Sequence, residues 1–258
     1  MIDQGMLYSS FGTSWGKKCR YFKRTDRDYV DYAMISAVSA KEHKPDIHIT
    51  LATDDTTIDP NDVPMFDNIL TITDLNEYPF SGKVQAMIQT PYTKTIAMDV
   101  DTKILHSRFF NTLDVLDHYE LAAVREPDRL VTNGVENGDD GNQLKQYSYI
   151  PTCFTELNTG LLCYVNTQAI INMLKYWLQQ YEEDMGCKTG RKIAPNDQQA
   201  LRAAIWRHQP SLYVLPEEYN WRKRDIVRGG NKKYLHTLMH HSRFAQDYDE
   251  ALEWINKE

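Results

Sequence analysis

The sequence has little of what marks several large protein classes. It contains only four cysteines, Cys19, Cys153, Cys163 and Cys187, widely scattered and with no C-x-x-C pair. That spacing argues against a zinc ribbon or a redox dithiol and favours reduced, structural thiols. No apolar run approaches the roughly 18–20 residues that span a bilayer, and the opening stretch MIDQGMLYSS lacks both the basic and the apolar region of a signal peptide. The expectation is a soluble, cytoplasmic protein with no membrane span. Positive charge is not in excess either: 29 Lys and Arg against 36 Asp and Glu leave a net charge of -7, so no global basic field draws nucleic acid or anionic lipid. Internal repeats, low-complexity tracts and Ser/Gly linkers are missing, and 258 residues at 41% hydrophobic can bury one large core. Residues 1–258 are therefore expected to form a single domain.

What is present is an alternation of strand-like and helix-like segments. After a short apolar start at Met6 to Tyr8 and a polar loop over residues 10–27, Val30, Ala33, Met34, Ala37 and Val38 share one helical face, with Asp28 near the helix start where the dipole favours it. DIHITLATDD then alternates Ile47, Ile49 and Leu51 and ends in carboxylates, and NILTI reads the same way. A helix over KVQAMIQT, opened by Lys83, leads through Pro91 into an apolar strand ending at Asp99. FFNTLDVLDHY is helix-like, ELAAV and GLLCYV are strand-like, and between those two strands lies a polar, Gly-rich stretch over residues 132–148. Thr167 is placed to cap a helix carrying Ile170, Leu174, Trp177, Leu178 and Tyr181, and Asn196 to cap another over PNDQQALRAAIW, with Gln199 completing a capping box. The pattern predicts an α/β fold with a mixed, mostly parallel central sheet flanked by helices, which binds its ligand at the carboxyl ends of the strands.

The segment TIAMDVDTKILH carries the sharpest chemistry. Two aspartates leave the end of an apolar strand together, and side chains two apart in a strand project to the same face, with Cα atoms roughly 6.5–7 Å apart. Desolvating two carboxylates is costly unless a cation or a phosphate-bearing partner answers them. Hard divalent ions such as magnesium and manganese prefer carboxylate oxygens and commonly share their shell with phosphate and water, which suits a metal-diphosphate complex. Turn capping by one or both carboxylates is the alternative. In phosphatases of the haloacid-dehalogenase type D-x-D-x-[TV] lies near the amino terminus with its first aspartate as nucleophile. Here Lys103 occupies the fifth position and the pair starts at Asp99. A phosphohydrolase using Asp99 and a catalytically inert binding domain of the same fold remain as alternatives.

Five segments in order carry a family resemblance: PYTKTIAMDVDTKIL, LNTGLLCYVN, PNDQQAL, LPEEYN and LMHHSR. Together they resemble the nucleotide-diphospho-sugar glycosyltransferases of GT-A type, a Rossmann-like fold, and are most similar to the retaining family 8 (glycogenin-like) enzymes over residues 5–245. The resemblance implies a metal-dependent hexosyltransferase that moves a sugar from a nucleotide-diphospho-sugar, a UDP-sugar, to a hydroxyl acceptor on a glycan or protein side chain, with retention. It implies manganese or magnesium held by Asp99, Asp101 and either His240 or His241. Asp197, Gln198 and Asn158 take the catalytic positions. Donor contacts carry over to Tyr8, Ser9, Ser10, Lys83, Asp99, Val100, Asp101, Asn158 in an N-T-G turn, Gly160, Asp197 and Arg243, the last standing in for a lysine of a K-P-W segment this chain lacks. Lys83 has a solvated helix-start lysine as its alternative reading, and Asp197 a helix-dipole role.

Overall fold

A computed structural model describes residues 1–11, 29–75, 80–126, 147–151, 153–186, 197–222 and 239–241, with residues 221–222 and 239–241 described by backbone alone. Apolar alternation builds a seven-stranded sheet. Strands β1 (Ile2–Ser10), β2 (His48–Thr53), β3 (Asn68–Thr71), β4 (Tyr92–Met98), β6 (Leu121–Arg125), β7 (Leu157–Val165) and β8 (Leu212–Leu215) lie in the order β3-β2-β1-β4-β7-β6-β8. The β3/β2, β2/β1, β1/β4 and β6/β8 pairs are parallel, whereas β7 runs antiparallel to both neighbours. A small second sheet joins β5 (Thr102–Ile104), β10 (Met239–His241) and β9 (Trp221–Arg222).

The period of two in the central strands sorts side chains into two cores. Met6, Tyr8, Ile49, Leu51, Ile96 and Met98 enter one, under α1 (Tyr29–His43). Leu7, Ala52 and Ala97 enter the other, under α2 (Ser81–Ile88), α4 (Gln168–Gly186) and α5 (Asp197–His208). Because both faces are covered, the strands read as near-continuous apolar runs. Close approach is built in at the centre: the Tyr92 ring occupies the space where a Cβ on Gly5 would stand, and its hydroxyl bonds Thr50 Oγ1 at 2.6 Å and His48 Nδ1 at 2.8 Å.

Several details depart from the periodicity. Helix α1 turns Ala33, Ala37 and Ala40 to the core, a small-residue face that lets it lie close to the sheet, and leaves Val38 40% exposed. FFNTLDVLDHY forms a 3-10 turn over Ser107–Asn111 and one turn of helix, α3 (Thr112–Val115), rather than one helix. The Thr112 hydroxyl donates to Phe109 O at 3.0 Å, and Phe109 and Phe110 are buried side by side. Thr167 caps α4 as expected, its Oγ1 accepting from Ile170 N at 3.2 Å. The Asp28 and Asn196 positions, and most of the polar stretches at 10–27 and 132–148, lie outside the described residues.

Candidate functional site

The sheet topology brings three strand ends to one edge. Strands β4 and β6 deliver their carboxyl ends there, and antiparallel β7 delivers its amino end, with Met98 opposite Leu161 and Arg125 opposite Leu157. Asp99 N donates to Gly160 O at 2.9 Å, so the aspartate pair is fastened to β7 where that strand begins. Asn158 thus sits inside a strand; the N-T-G segment is not a turn, because it lies within β7 between Leu157, which pairs with Arg125 across a shift in register, and Gly160, whose carbonyl accepts from Asp99 N. Asp99 and Asp101 are both partly buried, and Val100 between them drops its side chain into the core.

Lys83 is a buried cation of this edge. Its Nζ lies 2.6 Å from Asp99 Oδ1 and 2.5 Å from Thr159 O, and the residue is 8% exposed. The solvated-lysine reading is therefore replaced: a side chain that gives up hydration for one carboxylate and one carbonyl is built in. Helix α2, which carries it, is seated by Phe80 N donating to Tyr181 Oη at 3.3 Å and by Gly82, where a Cβ would stand 2.7 Å from the Phe11 ring.

A buried polar network continues from Thr159. The Thr159 hydroxyl donates to Asp197 Oδ1 at 3.2 Å, and Trp177 Nε1 donates to Asp197 O at 2.9 Å, which fixes the first turn of α5. Asn158 Nδ2 and Gln198 Nε2 both donate to Glu126 Oε2 at 2.8 Å, while Asn158 Oδ1 accepts from Gly160 N at 2.7 Å and from Asn220 Nδ2 at 2.5 Å. Asp197, Asn158, Asn220, Gln198 and Glu126 are between 2% and 5% exposed. Asn220 Oδ1 is buried with no hydrogen-bond partner among the described residues. Turning its amide over would set oxygen against Asn158 Oδ1, so the nitrogen stays on the side that faces Asn158.

The structure thus gathers Lys83, Asp99, Asn158, Gly160, Asp197 and Gln198. It also adds Glu126, Thr159 and Asn220, to which the sequence analysis gave no role. Glu126 follows the last residue of β6, a strand-end carboxylate of the same kind as Asp99, and that was the available signal. Tyr8, expected to contact the donor, lies in the core: it is 0% exposed, its ring packs edge-on against Phe66, and its hydroxyl accepts from Ser36 Oγ at 2.9 Å. Ser9 and Ser10 end β1, with Ser9 partly buried and Ser10 buried. Asp101 lies beside α1: burial, then the negative charge of Asp101, holds the Tyr29 phenol above its ordinary range. Strand β10 sets His241 opposite Thr102 and His240 opposite Lys103, so the histidine backbone returns within two residues of Asp101. Their side chains, and Arg243, are outside the described residues, among which no group of three or more His, Cys, Asp or Glu forms a metal cage.

No protein-family model and no curated protein matches the chain. Solved structures do match. The galactosyltransferase LgtC, in complex with donor and acceptor sugar analogues, superposes with a TM-score of 0.57 at 12% identity, over 97% of this chain and 95% of that one. Mouse xyloside xylosyltransferase 1 gives 0.58 at 11% identity, over 96% and 100%. The glycosyltransferase GlyE of Streptococcus pneumoniae TIGR4 gives 0.62 at 12% identity; it is matched by all of this chain over 61% of its own length. The fold is that of the GT-A glycosyltransferases. In this GT-A fold the mixed sheet sets the D-x-D at the carboxyl end of β4, beside the polar network.

Proposed function

We propose that the chain is a glycosyltransferase that moves a sugar from a nucleotide-diphospho-sugar to a hydroxyl acceptor on a glycan or protein side chain. The donor is a UDP-sugar and the outcome retention, as the resemblance to family 8 suggests. The observation that carries the reading is the single polar edge formed by Asp99, Lys83, Thr159, Asn158, Glu126, Asp197 and Gln198 in a fold shared with glycosyltransferases. This edge joins a cation for diphosphate to amides and carboxylates for sugar hydroxyls.

Residue roles follow from the contacts. The Lys83 ammonium has three donors, two of them directed at Asp99 and Thr159 O, and its remaining hydrogen is the one for a diphosphate oxygen. Glu126 holds the Asn158 and Gln198 amides in fixed orientation, so that no reorganisation is needed when the sugar arrives. The buried acceptor on Asn220 suits a sugar hydroxyl, since leaving it unsatisfied costs about 1–3 kcal/mol. Asp197 and Gln198 are assigned to the anomeric centre, as the resemblance implies. The departing diphosphate is a good leaving group, so no side chain need act as a strong acid.

The donor set at this edge fits a hard divalent cation, manganese or magnesium. Two carboxylates two residues apart supply oxygen ligands, and the β10 backbone returns His240 and His241 beside them. Asp99, Asp101 and one of His240 or His241 would hold the ion. Bound there, it would neutralise charge on the leaving diphosphate.

Incubation with UDP-glucose, UDP-galactose and UDP-xylose in the presence of manganese tests the reading. UDP release by the wild type and its loss in Asp101→Asn is the expected result. Release of phosphate from a simple monoester, with an acyl-phosphate on Asp99, would instead mark a phosphohydrolase. Nucleotide bound but never turned over would mark an inert binding domain.

A further inference from the structure

Away from the strand ends, the outer face of α4 and α5 carries a groove of about 470 Å3 lined by Tyr149, Tyr176, Gln180, Trp206 and Arg207. Trp206 lies nine residues beyond Asp197 on α5, which places the groove roughly 14 Å along the helix from the catalytic edge. Its volume falls in the about 300–1,000 Å3 range of small-molecule sites.

The walls are held before any ligand arrives. Arg202 Nε donates to Phe154 O at 2.9 Å and its Nη2 to Pro151 O at 2.6 Å, which pins the segment that follows Tyr149 to α5. Tyr147 Oη donates to buried Asp184 Oδ2 at 2.6 Å, tying the start of the same segment to α4. Trp206 meets the Phe154 ring edge-on at 5.1 Å, and the Arg207 guanidinium lies 4.7 Å from the centroid of Tyr176. Burial, then the neighbouring Tyr176, holds the Tyr149 phenol above its ordinary range, and Gln180 Nε2 donates to Glu183 Oε2 at 2.7 Å. Tyr149 nevertheless remains 53% exposed.

Three aromatic side chains interleaved with phenol, amide and guanidinium groups make an amphipathic lining. Rings present flat apolar faces to the C–H side of a sugar, while the polar groups meet its hydroxyls at the rim. The apolar face of a partner helix would leave those polar groups unpaired, at the cost of their hydration. The geometry points to a saccharide-binding groove, separate from the transfer site, that holds a distal part of a glycan. The choice of a saccharide as occupant rests on the sugar-transfer reading.

The test is saturation-transfer NMR with maltopentaose, cellopentaose, N-acetylchitopentaose and galactopentaose on the full chain. Wild type and Asp101→Asn should bind at least one of the four with equal affinity. Trp206→Ala and Tyr149→Ala should weaken that binding tenfold or more. Trp206 packs on Phe154 and its loss can perturb the fold, so the more exposed Tyr149→Ala, checked for wild-type circular dichroism, decides. Binding to none of the four, or binding unaffected by Tyr149→Ala, overturns the groove. Saccharide binding that survives while no UDP-sugar is bound or turned over would remove the transfer reading and leave the groove standing.

Discussion

In the β3-β2-β1-β4 half of the large sheet, strand ladders are parallel and most of the buried side chains are apolar, sorted by alternation into two cores, with Thr50, Thr95 and the Tyr92 hydroxyl among the hydrogen-bonded exceptions. Where β7 and β6 meet β4 the pairing turns antiparallel, and the buried side chains at the strand ends are Asn158, Thr159 and Glu126, joined to Asp197, Gln198 and Asn220. The difference separates two jobs. Apolar burial gives the first half its stability, whereas the second half gives up hydration to hold polar groups in fixed directions. That arrangement is worth its cost at a site that must meet a polar ligand.

The comparison can be broken from either side. Ile49→Ala, on the apolar side, should cost about 2–5 kcal/mol in urea denaturation, because it opens a cavity in a residue that is 0% exposed. Glu126→Ala should cost less, about 1–3 kcal/mol, by leaving the Asn158 and Gln198 amides without their acceptor. Its effect on turnover should be far larger, about 10²-fold, since small misplacements of positioned groups are that expensive. Glu126→Gln, which keeps one amide oxygen to accept, should recover part of that loss. If Glu126→Ala lowered stability but left turnover intact, the network would be structural only.

Lys83→Met should change nucleotide affinity about tenfold, equivalent to about 1.4 kcal/mol, with a smaller change in stability. Titration calorimetry and thermal melts on the same variant separate the two. The mildest effect is expected from Asp67, which sits before β3 on the apolar half. Burial alone would raise its pKa, but hydrogen bonds from Lys41 Nζ and Ile49 N, each at 2.8 Å, and the Lys41 charge hold the carboxyl below its ordinary value. A depressed folded-state pKa gives stability that is present above the unfolded value, near 4, and is lost as pH falls through the folded one. Melting temperature should therefore fall more steeply below about pH 4 for wild type than for Asp67→Asn, with the two curves converging in acid. Parallel curves would show that Asp67 contributes no linkage.

Legibility in the sequence followed the same division. Strands β2 and β4 and helix α4 were readable because apolar strand runs and 3.6-residue periodicity are local; the two strands bury side chains on both faces, and the helix buries Ile170, Leu174, Trp177 and Tyr181 on the face its pattern assigns. The D-x-D was readable because both carboxylates stand on one short segment. Glu126 was not: its partners lie 32 and 72 residues away, and one carboxylate after an apolar strand resembles any strand-end turn residue. Asn220 was quoted within LPEEYN but its contact with Asn158, 62 residues back, has no local signature. The packing of Tyr8 was not readable because a strand-end aromatic and a core aromatic look alike until the neighbour that caps its hydroxyl, Ser36, is known. The β5-β10-β9 sheet was invisible to periodicity, since strands of two or three residues contain no period to detect.

Calorimetric titration of UDP and of GDP, with and without manganese, on wild type and on Asp101→Asn addresses the central claim most directly. The account predicts manganese-dependent binding of UDP to the wild type and at least a tenfold loss in the variant. Absence of nucleotide binding to the wild type under any metal would contradict it.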